Sequence, residues 1–304
     1  MPLKIFIIGA TGYLGSAVAA RLARAGHDVR GLARTDDGAR ALQAAGVRPV
    51  RGDLGASDAW IGELKNCDVA VQAAADSADA AALDRRALEA VKIAAVDGRV
   101  RRFLYTSGMW VYGDTAGAVV DETTPQRPLA IVKWRSAHED AALDLVHHEV
   151  DAVVMQPTIV YGERRGIVGG LFAEARERGA VTVYGSGEQH WGLVHRDDVA
   201  EAYALALEHG RAGERYIVGD ESRLTQRQVA EAIARATGAN LRVRPAAEVL
   251  AELGPYGEAL LASQLHSAGK ARRELGWVPR HTSFVNEVDD LYREWQAGQK
   301  APVA

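Results

Sequence analysis

Several things are scarce in this chain, and each scarcity closes off a class of protein. Cysteine occurs once among 304 residues, at Cys67, which excludes a disulfide framework and a cysteine-built metal cluster. No apolar run approaches the roughly 20 residues that a membrane helix needs. Met1-Pro2 leads straight into an apolar stretch with no basic leader pattern. Neither sign of charge dominates: 36 Lys and Arg against 40 Asp and Glu leave a formal net charge of −4, so there is no basic footprint for nucleic acid or an anionic membrane. His147 and His148 are adjacent, project from different faces of a helix and make no metal pair. No metal is expected. The composition points to a cytoplasmic protein whose partner is a small molecule, long enough for one large domain with a smaller appendage.

What is present begins at once. Leu3–Ile8 reads as a strand buried on both faces, and Gly9-Ala-Thr-Gly-Tyr-Leu-Gly15 follows it directly. Leu14, Val18 and Leu22 then recur every four residues, so a helix starts near Gly12. Strand, glycine turn and helix N-terminus together form a pyrophosphate site. Gly9 permits the tight turn, Gly12 lets backbone approach the phosphates, and Gly15 lets the helix pack close to the sheet.

Strand patterns recur at Asp28–Leu32, Val47–Arg51, Asp68–Gln72, Phe103–Thr106 and Ala152–Gln156. Between them lie helical segments at Tyr13–Ala25, Asp37–Ala45, Ala80–Asp97 and Arg135–His148. This alternation predicts an α/β fold, a Rossmann doubly wound parallel sheet. After Pro157 glycines crowd and strands shorten. Asp197 is the expected cap of a helix at Val199–His209, a strand follows at Arg215–Val218, and Thr225 with Gln228 predicts a capping box opening Gln226–Ala236. We expect residues 1–157 and 196–220 to form the dinucleotide-binding domain. Residues 158–195 and 221–304 then form a small, mostly helical C-terminal substrate lobe.

Sites that select NAD place an acid at the end of the second strand, on the ribose 2′-hydroxyl. Here the strand ends Gly31-Leu32-Ala33-Arg34. A guanidinium suits a 2′-phosphate, whereas a carboxylate repels it, so the expected cofactor is NADP(H). Asp53 offers a carboxylate to the adenine amino group and Leu54 an apolar contact for its ring.

By this point the residues resemble the extended and atypical short-chain dehydrogenase/reductase superfamily, in its NAD-dependent epimerase/dehydratase-like branch. The resemblance runs almost end to end. It rests on the Gly9–Gly15 run, Gly52-Asp53-Leu54, Ala73-Ala74-Ala75, Tyr105-Thr-Ser-Gly-Met-Trp-Val-Tyr-Gly113, Gln156-Pro-Thr-Ile-Val-Tyr-Gly162, Val194-His-Arg-Asp-Asp-Val199 and Glu274-Leu-Gly-Trp-Val-Pro279. It implies cofactor contacts from Gly9, Thr11, Gly12, Tyr13, Leu14, Gly15, Arg34, Asp53, Leu54, Ala73, Ala74, Arg135 and Pro157. By analogy with relatives it also implies a homodimer built on the helices Ala80–Asp97 and Arg135–His148.

The family's proton chemistry rests on a Ser or Thr, a Tyr and a Lys, and those positions are changed here. Counting along the motifs places the hydroxyl at Gly108, the Tyr at Ile131 and the Lys at Arg135. No tyrosine lies between Tyr112 and Tyr161, so a small shift restores nothing. Ile131 transfers no proton, and Arg135 stays charged, able to hold ribose or an oxyanion but not to titrate. The remaining candidates for chemistry are Ser107, Arg135 and Tyr161. Gly108, Met109, Trp110, Ile131, His190 and Trp191 are the candidate substrate wall, bulky and apolar enough for an aromatic substrate. Three readings follow. The chain is an NADP(H)-dependent oxidoreductase acting on a carbonyl, imine or activated alkene with a non-standard proton donor. Alternatively it is an epimerase or dehydratase that recycles its nicotinamide internally, or a non-catalytic NADP(H)-binding sensor.

Overall fold

The computed structural model describes residues 1–74 and 79–300. Seven parallel strands form the central sheet: β1 (Lys4–Ile8), β2 (Asp28–Ala33), β3 (Arg48–Arg51), β4 (Val69–Gln72), β5 (Arg102–Thr106), β6 (Asp151–Pro157) and β7 (Arg215–Val218). Their spatial order is β3-β2-β1-β4-β5-β6-β7. The order reverses beside β1, whose Ile5 pairs with Val29 on one side and Val69 on the other. In an open α/β sheet that reversal opens a crevice at the carboxyl ends of the strands.

Alternation along each strand builds two cores. Ile5, Ile7, Val71, Leu104 and Met155 face α1 (Tyr13–Arg24), while Phe6, Ile8, Ala70, Phe103 and Val154 face the opposite layer. Phe6 stacks on Trp60 with ring centroids 5.6 Å apart. Burying an Ile or Phe side chain contributes roughly 1.5–3 kcal/mol, which is why β1 reads as an unbroken apolar run. The helices α2 (Asp36–Ala44), α3 (Ile61–Lys65), α4 (Ala80–Val96) and α5 (Arg135–Leu143) precede the glycine-rich region. After it come α6 (Gly166–Arg178), α7 (Arg196–His209), α8 (Gln226–Thr237), α9 (Ala246–Leu253), α10 (Pro255–Leu261) and α11 (Phe284–Lys300).

Two expected helices differ in detail. The segment expected over 135–148 is α-helical only to Leu143 and then tightens into a 3₁₀ turn at Asp144–His148, ended by Glu149 in left-handed conformation. The helix expected from Val199 starts at Arg196. Its cap is His195, whose ring accepts the Asp197 N–H at 3.2 Å, so Asp197 sits in the first turn and not at the cap. The Thr225–Gln228 capping box forms as expected, and Gly238 closes α8 with φ +72°.

A third core gathers Tyr161, Phe172, Trp191, Phe284 and Trp295 beneath the parallel strand pair Ile159–Tyr161 and Leu193–His195. Residues 268–277 do not join this core. Ala268, Ala271, Leu275 and Trp277 pack into the α1 side of the sheet, and Trp277 Nε1 donates to the Asp198 carbonyl at 2.8 Å. No described helix is long and apolar enough to cross a membrane.

Candidate functional site

The glycine turn after β1 is built so tightly that side chains do not fit. A Cβ on Gly9, whose φ is +87°, would lie 2.4 Å from the Ala74 nitrogen, and one on Gly15 would lie 2.1 Å from the Gly9 carbonyl. Gly12 donates its N–H to that same carbonyl at 2.8 Å and caps α1 with no side chain and no acidic residue in the first turn. The orphan amides of the helix end are therefore left facing the crevice, with their positive partial charge uncancelled. A Cβ-free cradle under a bare helix N-terminus fits a dinucleotide's phosphates.

Around this turn Gly9, Thr11, Gly12, Arg34, Asp53, Leu54 and Ala74 line one cleft. Arg34 and Asp53 are both exposed and face each other, Nη1 to Oδ2 at 3.9 Å, while Asp53 Oδ1 accepts the Gly55 N–H at 2.7 Å. Leu14 is half-buried and packs against the core. Tyr13 turns away from the cleft: its hydroxyl donates to the Gly162 carbonyl at 2.7 Å, and burial pushes its proton affinity up. Ala73 continues the β4 ladder through its N–H to the Ile8 carbonyl, whereas Ala75 lies outside the described residues.

The candidates for chemistry separate. Arg135 stands at the carboxyl end of β5, where its Nη1 donates to the Thr106 carbonyl at 2.9 Å and its guanidinium lies 4.5 Å over the Trp134 ring. Ser107 is buried, and its hydroxyl donates to Glu139. That carboxylate also accepts from Gln126, Gln156 and Arg215, so the Ser107 hydroxyl is engaged in an internal network. Tyr161 is corrected outright. It is fully buried in the third core, edge-on to His195 and Phe284, and its hydroxyl makes no hydrogen bond among the described residues.

The expected substrate wall is also partly redistributed. Met109 is buried with Val111, Tyr112, Val120 and Ile217. Trp191 is 1% exposed and its Nε1 is spent on the Leu260 carbonyl at 3.1 Å, so it is core and not wall. Their apolar character reflects packing, the commoner reason for it. Trp110 and Ile131 do come together, half-buried against α10, where Trp110 meets Tyr256 edge-on at 6.3 Å. Gly108 is extended and uncrowded, its nearest neighbour for a Cβ being the Pro157 carbonyl at 3.5 Å. His190 is half-buried and anchored through its N–H to Ser263 at 3.1 Å.

One constellation was absent from the sequence expectations. Asp84 is buried on α4 in the wall of the same cleft. Its Oδ2 accepts the Tyr105 hydroxyl at 2.6 Å and pairs with His138 Nδ1 at 2.7 Å, and its Oδ1 accepts Gln72 Nε2 at 2.6 Å. Burial first, and Asp84 next, push the Tyr105 phenol's proton affinity up. A signal existed: Asp84, Leu88 and Val91 share one face of α4 at helical spacing, and an unpaired carboxylate is not put on a buried stripe.

This sheet order, glycine cradle and crevice define a Rossmann-type nucleotide-binding protein. The chain belongs to the NAD dependent epimerase/dehydratase family, which it matches over residues 5–219. It is 28% identical to an uncharacterized protein of Schizosaccharomyces pombe across 95% of this chain and all of that one. It is also 28% identical to a 4-hydroxy-2-methyl-3-oxo-4-farnesyl-3,4-dihydroquinoline-1-oxide ketoreductase of Stigmatella aurantiaca across 98% of both. A dTDP-glucose 4,6-dehydratase from Streptomyces venezuelae, solved with NAD bound, shares the fold with a TM-score of 0.84 at 22% identity, covering 99% of this chain and all of that one. The family comprises epimerases, dehydratases and reductases that use a nicotinamide nucleotide.

Proposed function

We propose that this protein is an NADP(H)-dependent oxidoreductase acting on a carbonyl, imine or activated alkene of an apolar, aromatic small molecule. The carrying observation is the cleft itself, a side-chain-free phosphate cradle whose rim ends in Arg34 where an NAD-selecting site puts a carboxylate. Gly9, Gly12 and the first amides of α1 would hold the pyrophosphate, with Gly15 letting the helix pack close beneath it, Arg34 would hold the 2′-phosphate, Asp53 and Leu54 the adenine, and Arg135 with Pro157 the far end. The bound nucleotide supplies hydride chemistry. The protein's part is to fix geometry, keep a positive charge from Arg135 near the reacting oxygen, and exclude water with Trp110, Ile131 and Tyr256. Similarity to a ketoreductase supports net reduction. The dehydratase-like fold supports the second reading, internal recycling, and the loss of the family's Tyr at Ile131 favours the third, a sensor that binds without turnover.

Calorimetry tests the cofactor. NADPH should bind at micromolar affinity, and Arg34→Ala should weaken it about 10–100-fold, as expected for a charged hydrogen bond worth about 1.5–3 kcal/mol, while leaving NADH nearly unchanged. Equal NADPH binding by wild type and variant would sink the assignment of Arg34. Stoichiometric NADPH oxidation across a carbonyl and imine panel then separates a reductase from the two alternatives.

A further inference from the structure

The phenols of β5, β6 and the loops that follow them are already spent. Tyr105 donates to Asp84 at 2.6 Å, Tyr112 donates to Gln156 at 2.9 Å, and Tyr161 is sealed in the third core. Tyr256 differs. It stands on α10 of the lobe, 38% exposed, and its hydroxyl makes no hydrogen bond among the described residues. Tyr256 and Ala259 lie three apart on one face of α10, and Ala259 packs with Leu129 against Trp110, Ile131 and Val132. The Tyr256 ring meets Trp110 edge-on, with centroids 6.3 Å apart. Ile131 is where the family's tyrosine is expected, and Arg135 follows it by one helical turn. A free phenol from the lobe therefore stands beside the place from which a phenol is missing. Burial, with no neighbouring charge, pushes the Tyr256 proton affinity up. At neutral pH the group keeps its proton, which makes it a donor and a poor base, the combination that suits reduction over its reverse.

We propose that the Tyr256 hydroxyl gives the proton to the carbonyl oxygen of an aromatic aldehyde or ketone as that carbonyl is reduced. This rests on the reading of the site as an NADP(H)-dependent reductase of an apolar aromatic carbonyl. The two electrons arrive as hydride from the reduced nicotinamide nucleotide, so a C–H bond forms at the carbonyl carbon and the C=O π pair moves onto oxygen. The Tyr256 step moves one proton and no electrons. The phenol O–H breaks as an O–H forms on that oxygen, and the phenolate regains its proton from water at the exposed edge of the ring. Transfer runs downhill, because an alkoxide is a far stronger base than a phenolate. Trp110 and Ile131 touch the substrate's ring and carry no proton.

Binding of 2-acetylnaphthalene and of 2-ethylnaphthalene to the full-length protein, without nucleotide, isolates the hydroxyl. Tyr256→Phe keeps the ring and removes a group that bonds nothing in the fold, so the variant is expected to fold. It should bind the ketone about 3–10-fold more weakly than the wild type and the hydrocarbon equally well, as expected for one lost hydrogen bond. With NADPH added, ketone reduction followed by NADPH oxidation should lose about 100-fold or more in kcat, with NADPH affinity unchanged. Equal ketone affinity, or equal kcat, in wild type and Tyr256→Phe overturns the role of Tyr256 alone. A wild type that binds NADPH but neither naphthalene overturns the aromatic-carbonyl reading and takes Tyr256 with it.

Discussion

At the scale of single residues, one glycine and one carboxylate carry the strongest expectations. Gly9→Ala forces a Cβ onto the Ala74 backbone at a positive φ, with nothing flexible to yield. The variant should lose about 2–4 kcal/mol of stability in denaturant unfolding and most of its nucleotide affinity. Glu139 collects Ser107, Gln126, Gln156 and Arg215 around one fully buried carboxylate. Glu139→Ala strands those donors, and urea unfolding should show a loss of about 3 kcal/mol or more. Ser107→Ala removes a single neutral donor and should cost less. Equal losses would mean that the carboxylate is not the hub.

The same scale shows where sequence reading succeeds and fails. The Gly9–Gly15 turn was legible because its constraints are local: strand, turn and helix lie within twenty residues of one another. Tyr161 and Trp191 were not, because what buries them comes from far along the chain, Phe284 and His195 for one and Leu260 for the other. An aromatic residue after a strand looks the same whether it lines a cleft or fills a core. Asp84 is not legible as a hub, because its partners at 72, 105 and 138 meet only through the fold.

Elements were more transparent than side chains. The central strands β1, β4 and β6 follow apolar runs, whereas the edge strand β3, Arg48-Pro-Val-Arg51, buries only Val50, and the order β3-β2-β1-β4-β5 is consistent with right-handed crossovers of short length. Helix ends were less so. The expected 135–148 helix tightens after Leu143, and α7 takes its cap from a histidine ring where an aspartate was expected. Helix α8 gives the cleaner test, since both halves of its capping box are formed. Thr225→Ala should lower stability by about 1 kcal/mol, read as a shift in unfolding midpoint, whereas Thr225→Ser should change little.

For the whole molecule, stability should depend on pH through groups that folding buries. His195 and His266 are pushed down to about 4 by burial, His195 also by the neighbouring His281. The unfolded chain takes up protons near 6.5 that the folded one refuses, so their contribution is complete above that value and is lost as pH falls toward 4. Asp220 works the other way. Burial holds its carboxyl up at about 6, so its contribution is full below about 4 and fades as pH rises through 6. Asp220→Asn should gain on the wild type by up to about 3 kcal/mol between pH 4 and 7, measured by urea unfolding at each pH. A constant gap across that range would show that Asp220 titrates normally. We further propose a homodimer through α4 and α5, since Ile93 and Val96 stand exposed on α4. Light scattering of Val96→Glu should then report a shift toward monomer.

One contact ties these scales together. Arg196 opens α7 and reaches back to the Tyr13 carbonyl at 2.7 Å, to Ser16 at 2.8 Å and to Glu163, while the Tyr13 hydroxyl holds the Gly162 carbonyl. The phosphate turn and the start of the lobe are thereby clasped in a single knot. Neither can swing without breaking several charge-assisted bonds. A substitution in that knot, far along the chain from the glycines, would therefore be felt first at the turn that holds the phosphates.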